Sequence, residues 1–418
     1  MSKLAIHGGP KIRSKPFPKH PIIGEDEKKQ VMEVLDSGNI STFIASPGEN
    51  FLGGKKIKEF EEKFSKKIGT KYGIAFNSAS SALHAAIVAV GVQPGEEVIV
   101  PPYTFTSTAT SSLMHNAIPV FCDVKKDIYC LDPVKLKDVL SPLSKAVVPV
   151  HLFGHACDMD DIMSFARKNN LRVIEDCAQS PGGEYKNKPL GTIGDCGIFS
   201  FQESKNMMTG EGGMLLTNDE EIANIARMVR NHGEMILESS KKRTYKSEFL
   251  GWGYRMTELE AALGVSQVSK LDYFNEQRIK LASYLANEIN KIHGLHHTKY
   301  DFVKHVYYQF GFSYDEGKIG ISRNVFCDAL RAEGIPCSDG YVKPLYLNPL
   351  YLEKRAFAYK HYHGNVKYEK GICPVAESLY ENEVILIPVC RPPATIGDMS
   401  DIVNAIHKII ENKSELTN

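Results

Sequence analysis

Asp176 closes an apolar run, Val173-Ile174, and Lys205 follows a second one, Gly197-Ile198-Phe199-Ser200-Phe201. Apolar runs bounded by polar residues predict buried parallel strands, which present side chains at their carboxyl ends. An acid at one strand end and a lysine just past another can serve a cofactor that needs both. Pyridoxal 5'-phosphate is such a cofactor. Its aldehyde requires an amine for a Schiff base, and its ring nitrogen requires a carboxylate to stay protonated, so that the ring can accept electrons. The phosphate has a natural place in Asn77-Ser78-Ala79-Ser80-Ser81. That segment lies between a predicted strand and an alanine-rich helix, where free N–H groups and small side chains favour an anion. Read in isolation, it is a plain serine N-cap, Asp176 a strand-end acid that meets a helix or an arginine, and Lys205 a surface lysine.

The elements that must position these residues follow from the pattern around them. From Tyr72 onward, short apolar runs at Ile74-Phe76, Val98-Val100, Val120-Phe121, Ala146–Val150, Val173-Ile174 and Ile198–Phe201 alternate with helical segments. This predicts an α/β domain with a mainly parallel sheet covered on both faces. Residues 1–24 read as an extended arm. Helices are expected over Glu25–Leu35, Lys55–Ile68 (its charges solvated), Glu220–Arg230, Thr257–Ser269 and Asp272–Ile292. A looser pattern after about Gly294 predicts a smaller α/β domain, with segments Val306–Ser313, Arg323–Glu333, Val384–Ile387 and Asp398–Glu411. The domain expectation is thus arm 1–24, large domain 25–293 and small domain 294–418.

The remaining composition narrows the function. Lysine plus arginine and aspartate plus glutamate number 50 each among 418 residues, so the net charge is zero, which gives no electrostatic case for nucleic acid or anionic membrane. The opening MSKLAIHGG lacks a signal-peptide core, no run is long enough to span a bilayer, and the nine cysteines form no CxxC pair. A cytoplasmic location is expected, and no metal. His151, at the end of the run Val147–Val150, is expected to face the site. With His155 and Cys157 it lacks a fourth ligand of recognisable spacing. His296-His297 and His361/His363 read as solvated loop residues.

Asp176-Cys177-Ala178-Gln179, Phe199-Ser200-Phe201 and Lys205 before Gly210-Glu211-Gly212-Gly213 together resemble the core signature of the DegT–StrS sugar aminotransferases. These are fold-type I pyridoxal phosphate enzymes, and the resemblance covers nearly the whole chain. It implies a seven-stranded sheet, a homodimer with shared active sites, and transfer of an amino group from glutamate or glutamine to a keto-sugar or keto-cyclitol, with pyridoxamine 5'-phosphate as intermediate. It also implies roles. Gln179 faces the ring's 3-oxygen, Ser200 contacts the phosphate, and Phe105 stacks on the ring. Ala79-Ser80 stand where the family usually has Gly-Thr. In Gly251-Trp252-Gly253-Tyr254-Arg255, a usual asparagine that reaches the partner's phosphate is replaced by Gly253, leaving Arg255 as a candidate. Tyr341 and Tyr346 match a loop over the sugar, with Tyr346 at a common histidine position. Leu4–Pro10 and Cys373–Glu377 are similar to the branch of scyllo-inosose aminotransferases and 3-amino-5-hydroxybenzoate synthases. Alternatives are a synthase of that second kind, a sugar dehydratase, whose members carry histidine in place of the lysine, or a non-catalytic regulatory binder of the cofactor.

Overall fold

The computed structural model describes residues 3–43, 50–234 and 246–417. Seven strands form the central sheet, in the spatial order Tyr72–Phe76, Gly213–Thr217, Cys196–Ser200, Arg172–Asp176, Ser144–Val147, Glu97–Val100 and Ile118–Phe121. Gly213–Thr217 runs antiparallel to both of its neighbours, and the remaining pairings are parallel. The sheet is thus an α/β sheet of the expected fold-type I kind. Helices cover both faces, so strands such as Cys196–Ser200 are buried throughout. Gly213–Thr217 was not among the runs read as strands, because its first residue belongs to the glycine turn. The glycine is required there: a Cβ on Gly213 would stand 2.4 Å from the Ser78 carbonyl and 2.5 Å from Ala79 N.

The helices over Lys55–Ile68 and Glu220–Arg230 match the predicted spans. The former is less solvated than expected. Lys56 is buried, with Nζ donating to Gln30 at 2.5 Å and Glu33 at 2.7 Å. The two helices expected over 257–292 are one continuous helix, Glu258–Ile289. No glycine or proline interrupts Lys270-Leu271, and Leu271 is buried as part of the continuous stripe. Thr257 caps the helix, accepting from Glu260 N in a capping box.

A second, antiparallel sheet has the order Leu295–His296, Phe310–Tyr314, Val384–Ile387, Ser338–Asp339. Its core includes Phe310, Phe312, Phe326, Ile385 and Ile406, together with Leu281, Leu285 and Ile289 from the far half of the long helix. Leu4 of the N-terminal arm is also buried there. Conversely, Tyr346, Tyr351 and Tyr368 return to the large core, with ring centroids 5.6, 5.3 and 5.5 Å from Phe121. A boundary near residue 294 therefore describes only part of how the two cores divide the chain. His297 is buried, its Nδ1 2.7 Å from the Gly311 carbonyl, rather than solvated as expected.

Candidate active site

The carboxyl ends of the parallel strands converge on one cavity of about 430 Å3. Each wall segment follows a strand. Ser78, Ala79 and Ser80 come after Tyr72–Phe76, Thr104 and Phe105 after Glu97–Val100, and Val150 after Ser144–Val147. Asp176 and Gln179 come from the end of Arg172–Asp176, and Ser200 from the end of Cys196–Ser200. Lys205, Tyr308 and Tyr341 also line it. Parallel strands deliver side chains to one edge, which explains why residues so far apart in the chain meet.

Asp176 is almost fully buried. Its Oδ2 accepts from Thr108 Oγ1 at 2.9 Å, and its Oδ1 accepts from Ala178 N at 3.1 Å. Burial pushes its carboxyl above the usual range. The bonds from Ala178 and Thr108 and the charge of Lys205 pull it back only in part. A buried acid in that condition is short of a positive neighbour. Lys205 lies in the loop closed by Phe201 N to Gly212 O, Glu203 N to Gly210 O and Thr209 N to Phe201 O. Its Nζ stands 4.3 Å from the centroid of the Tyr308 ring. Burial opposes ionisation of Tyr308. The charge of Lys205 and hydrogen bonds with Ser204, Gln309 and Lys205 outweigh it, leaving the hydroxyl below its usual pKa.

Gln179 is oriented from two sides. Phe153 N donates to Oε1 at 2.7 Å, and Nε2 donates to the Tyr341 hydroxyl at 3.0 Å, which leaves an amide donor at the cavity wall. Phe105 is 59% exposed, far more than a core phenylalanine, with its ring at the cavity. At the other end Ser78 caps the helix Ala79–Ala89, its Oγ accepting from Ser81 N at 3.1 Å, so the first N–H groups remain for a ligand. These groups fit pyridoxal phosphate: an unpaired buried acid for the ring nitrogen, an amine, an amide donor, an exposed ring face, and hydroxyls beside a helix N-terminus.

Two expected site residues, His151 and Tyr346, lie elsewhere; the expectation for Arg255 concerns the partner subunit's site. His151 is turned away. Cys157 N donates to its Nδ1 at 3.1 Å, so its Nε2 carries the hydrogen and donates to Glu175 Oε2 at 3.1 Å. Neighbouring strand residues face opposite ways, so Glu175 points away from the side that carries Asp176, and His151 goes with Glu175. His151, Glu175 and Cys177 have metal-ligand spacing, but Glu175 already accepts from Gly191, Ile193 and Gly194 N as well as His151. Tyr346 is fully buried and donates to Glu377 Oε1 at 2.5 Å, a brace in the core rather than a wall of the cavity. Arg255 is off the cavity of its own chain, with Nη1 3.4 Å from Asn231 Oδ1 and its guanidinium 5.8 Å from the Phe43 ring centroid. Sequence reasoning missed Thr108, Ser204 and Tyr308. Thr108 carried a faint signal, being one helical turn beyond Thr104 in the segment that holds Phe105; the other two carried none.

A mostly parallel seven-stranded sheet with an acid and a lysine at its carboxyl edge defines a pyridoxal phosphate-dependent aminotransferase of fold-type I. The chain belongs to the DegT/DnrJ/EryC1/StrS aminotransferase family, whose profile matches residues 21–407. It is 36% identical to GDP-perosamine synthase of Caulobacter vibrioides, across 79% of this chain and 85% of that protein. It is 31% identical to a putative L-glutamine:3-amino-2,3-dideoxy-scyllo-inosose aminotransferase of Streptoalloteichus tenebrarius, across 99% of each. The solved aminotransferase of Psychrobacter cryohalolentis superposes with a TM-score of 0.85 at 29% identity, covering 95% of this chain and 99% of that one. The family match and these relatives support transamination in amino-sugar chemistry. No described helix is long and apolar enough to cross a membrane.

Proposed function

We propose that the protein is a cytoplasmic, homodimeric transaminase that moves the amino group of glutamate or glutamine onto a ketone of a sugar, nucleotide sugar or cyclitol. Pyridoxal phosphate, when bound, supplies an aldehyde carbon and a ring that accepts electrons from the substrate carbon. Lys205 Nζ would hold that aldehyde and would carry the proton to and from the substrate carbon. Asp176 keeps the ring nitrogen protonated. Gln179 Nε2 would donate to the ring oxygen, Phe105 would cover one face, and the Ala79-Ser80 N–H groups with Ser80 and Ser200 would hold the phosphate. Arg255, one residue pair from Gly253, reaches toward the partner subunit's phosphate.

The observation that carries this reading is the meeting of Asp176 and Lys205 in one cavity with the N-terminus of helix Ala79–Ala89. A relative named for a nucleotide sugar and one named for a cyclitol match at similar identity, so both acceptor classes belong in the test. Protein supplied with pyridoxal phosphate is expected to absorb in the visible, and Lys205→Ala to lose both that absorbance and turnover. Protein in the pyridoxamine form, given panels of keto-sugars, keto-cyclitols and keto-acids, is expected to recover the absorbance with its acceptor. A protein that stays colourless with the cofactor would overturn the proposal.

A further inference from the structure

The side chains beside Lys205 form a hydrogen-bonded chain whose direction is set at its far end. Gln202 Oε1 accepts from Ser204 N at 2.9 Å and from Ser204 Oγ at 2.6 Å. A backbone N–H can only donate, so the Gln202 amide turns its oxygen to this side, and the single hydroxyl hydrogen of Ser204 is spent on it. Ser204 Oγ also lies 2.9 Å from Tyr308 Oη. With its own hydrogen committed, Ser204 accepts there and Tyr308 donates. The Tyr308 oxygen is left with lone pairs alone for its other neighbour, the amine of Lys205.

Lys205 Nζ stands over the face of the Tyr308 ring, 4.3 Å from its centroid, and Gln202, Ser204, Lys205 and Tyr308 all line the cavity. The two partners belong to different parts of the chain. Lys205 follows strand Cys196–Ser200 of the large sheet, and Tyr308 precedes strand Phe310–Tyr314 of the second sheet. Tyr308 is itself held from behind. Arg278, fully buried on the helix Glu258–Ile289, donates Nη1 to the carbonyls of Tyr307 at 3.1 Å and Tyr308 at 3.3 Å.

An acceptor oxygen and a ring face both suit an amine that carries a proton. A hydroxyl aimed the other way would instead cap the amine's lone pair, which must stay open to attack a carbonyl or to take a proton from carbon. We propose that Tyr308 seats the amine of Lys205 whenever that amine is not covalently engaged, as a positioning residue whose hydroxyl Ser204 and Gln202 keep as an acceptor. This rests on the aminotransferase reading. When Nζ takes the α-proton of the amino donor, the ammonium so formed donates to Tyr308 Oη and lies over its ring. The second sheet thereby sets where the reacting amine of the large sheet waits.

Two measurements test this. In cofactor-free protein, tyrosinate absorbance is followed against pH in wild type and Lys205→Ala. The charge of Lys205 helps to hold the Tyr308 hydroxyl below its usual range against the effect of burial, so one tyrosine is expected to ionise at higher pH in Lys205→Ala. In protein loaded with pyridoxal phosphate, the loss of visible absorbance on adding glutamate or glutamine is timed. At saturating donor, Tyr308→Phe, which keeps the ring, is expected to be slowed about 10-fold and Tyr308→Leu about 100-fold. The half-saturating donor concentration should not change, and the isotope effect with donor deuterated at the α-carbon should grow. Ser204→Ala, which frees the Tyr308 hydroxyl to donate to the amine, should slow the same step. Identical tyrosine titrations in wild type and Lys205→Ala, or variants that change only the donor concentration needed, overturn the proposal. If the Tyr308 variants do not fold, Ser204→Ala and the titration decide. A wild type that takes up no cofactor removes the aminotransferase reading and this role with it, whereas a displaced titration would still place the amine at Tyr308.

Discussion

Gln179 Nε2 donates to the Tyr341 hydroxyl at 3.0 Å, joining the loop after strand Arg172–Asp176 to the segment that follows Ser338–Asp339 of the second sheet. Tyr341 N in turn donates at 2.9 Å to the hydroxyl of Tyr103, in the segment that follows strand Glu97–Val100. The amide that faces the cavity is therefore aimed by both parts of the chain. Tyr341→Phe and Gln179→Leu, made singly and together, are expected to show a coupling of about 1 kcal/mol in kcat/KM for the acceptor. Strictly additive effects would show that the bond does not act as a unit.

Asp176 predicts opposite changes in stability and activity. Burial raises its carboxyl, so the ionised form at neutral pH is a burden on the folded protein without cofactor. Asp176→Asn keeps the shape and removes the charge. The melting temperature of the cofactor-free protein is expected to hold or rise, while turnover falls by roughly a thousandfold. A large fall in the melting temperature would mean that the acid is part of the scaffold.

Phe105 is 59% exposed, so Phe105→Ala should cost the cofactor-free protein no more than about 0.5 kcal/mol. Loss of a stacking face should instead weaken binding of pyridoxal phosphate by about 3- to 10-fold, as read from absorbance titration. Undiminished affinity would place the ring outside the cofactor's reach.

Glu27 behaves in the reverse sense to Asp176. Burial raises its pKa, but hydrogen bonds from Lys270, Gly24 N and Gln267 outweigh this and hold it at about 2, against 4.5 unperturbed. A depressed acid contributes stability above its unfolded value, and that contribution fades as pH falls from about 4.5 toward 2. Glu27→Gln is expected to lose about 2 kcal/mol at pH 7, with the gap to wild type narrowing below pH 4.5 in urea midpoints. A gap independent of pH would assign the loss to packing.

Local pattern made much of the site legible. Asp176 and Lys205 could be picked out because strand ends and glycine turns leave marks on a single stretch of chain, and Ser78–Ser80 because a helix start does too. Gln179 and Phe105 were reached through their places in recognisable motifs. His151 was misplaced because a strand end says nothing about which side the chain turns to after it, and here the ring follows Glu175. Tyr346 was misplaced because a loop position does not reveal that Glu377 and Phe121 enclose the ring.

Periodicity and motif alone thus determined the α/β class and picked out Asp176, Lys205 and the turn Ser78–Ser80, which line one cavity, since each rests on neighbours close in the chain. Only the tertiary structure decided that Thr108 would hold Asp176, that Tyr308 would lie under Lys205, and that Arg278 would be buried with Nε and Nη2 lacking an acceptor among the described residues. Those contacts join segments brought together by strand order and by the path of one long helix, and burial turns their charges into strong constraints. No spacing along the chain encodes that dielectric environment.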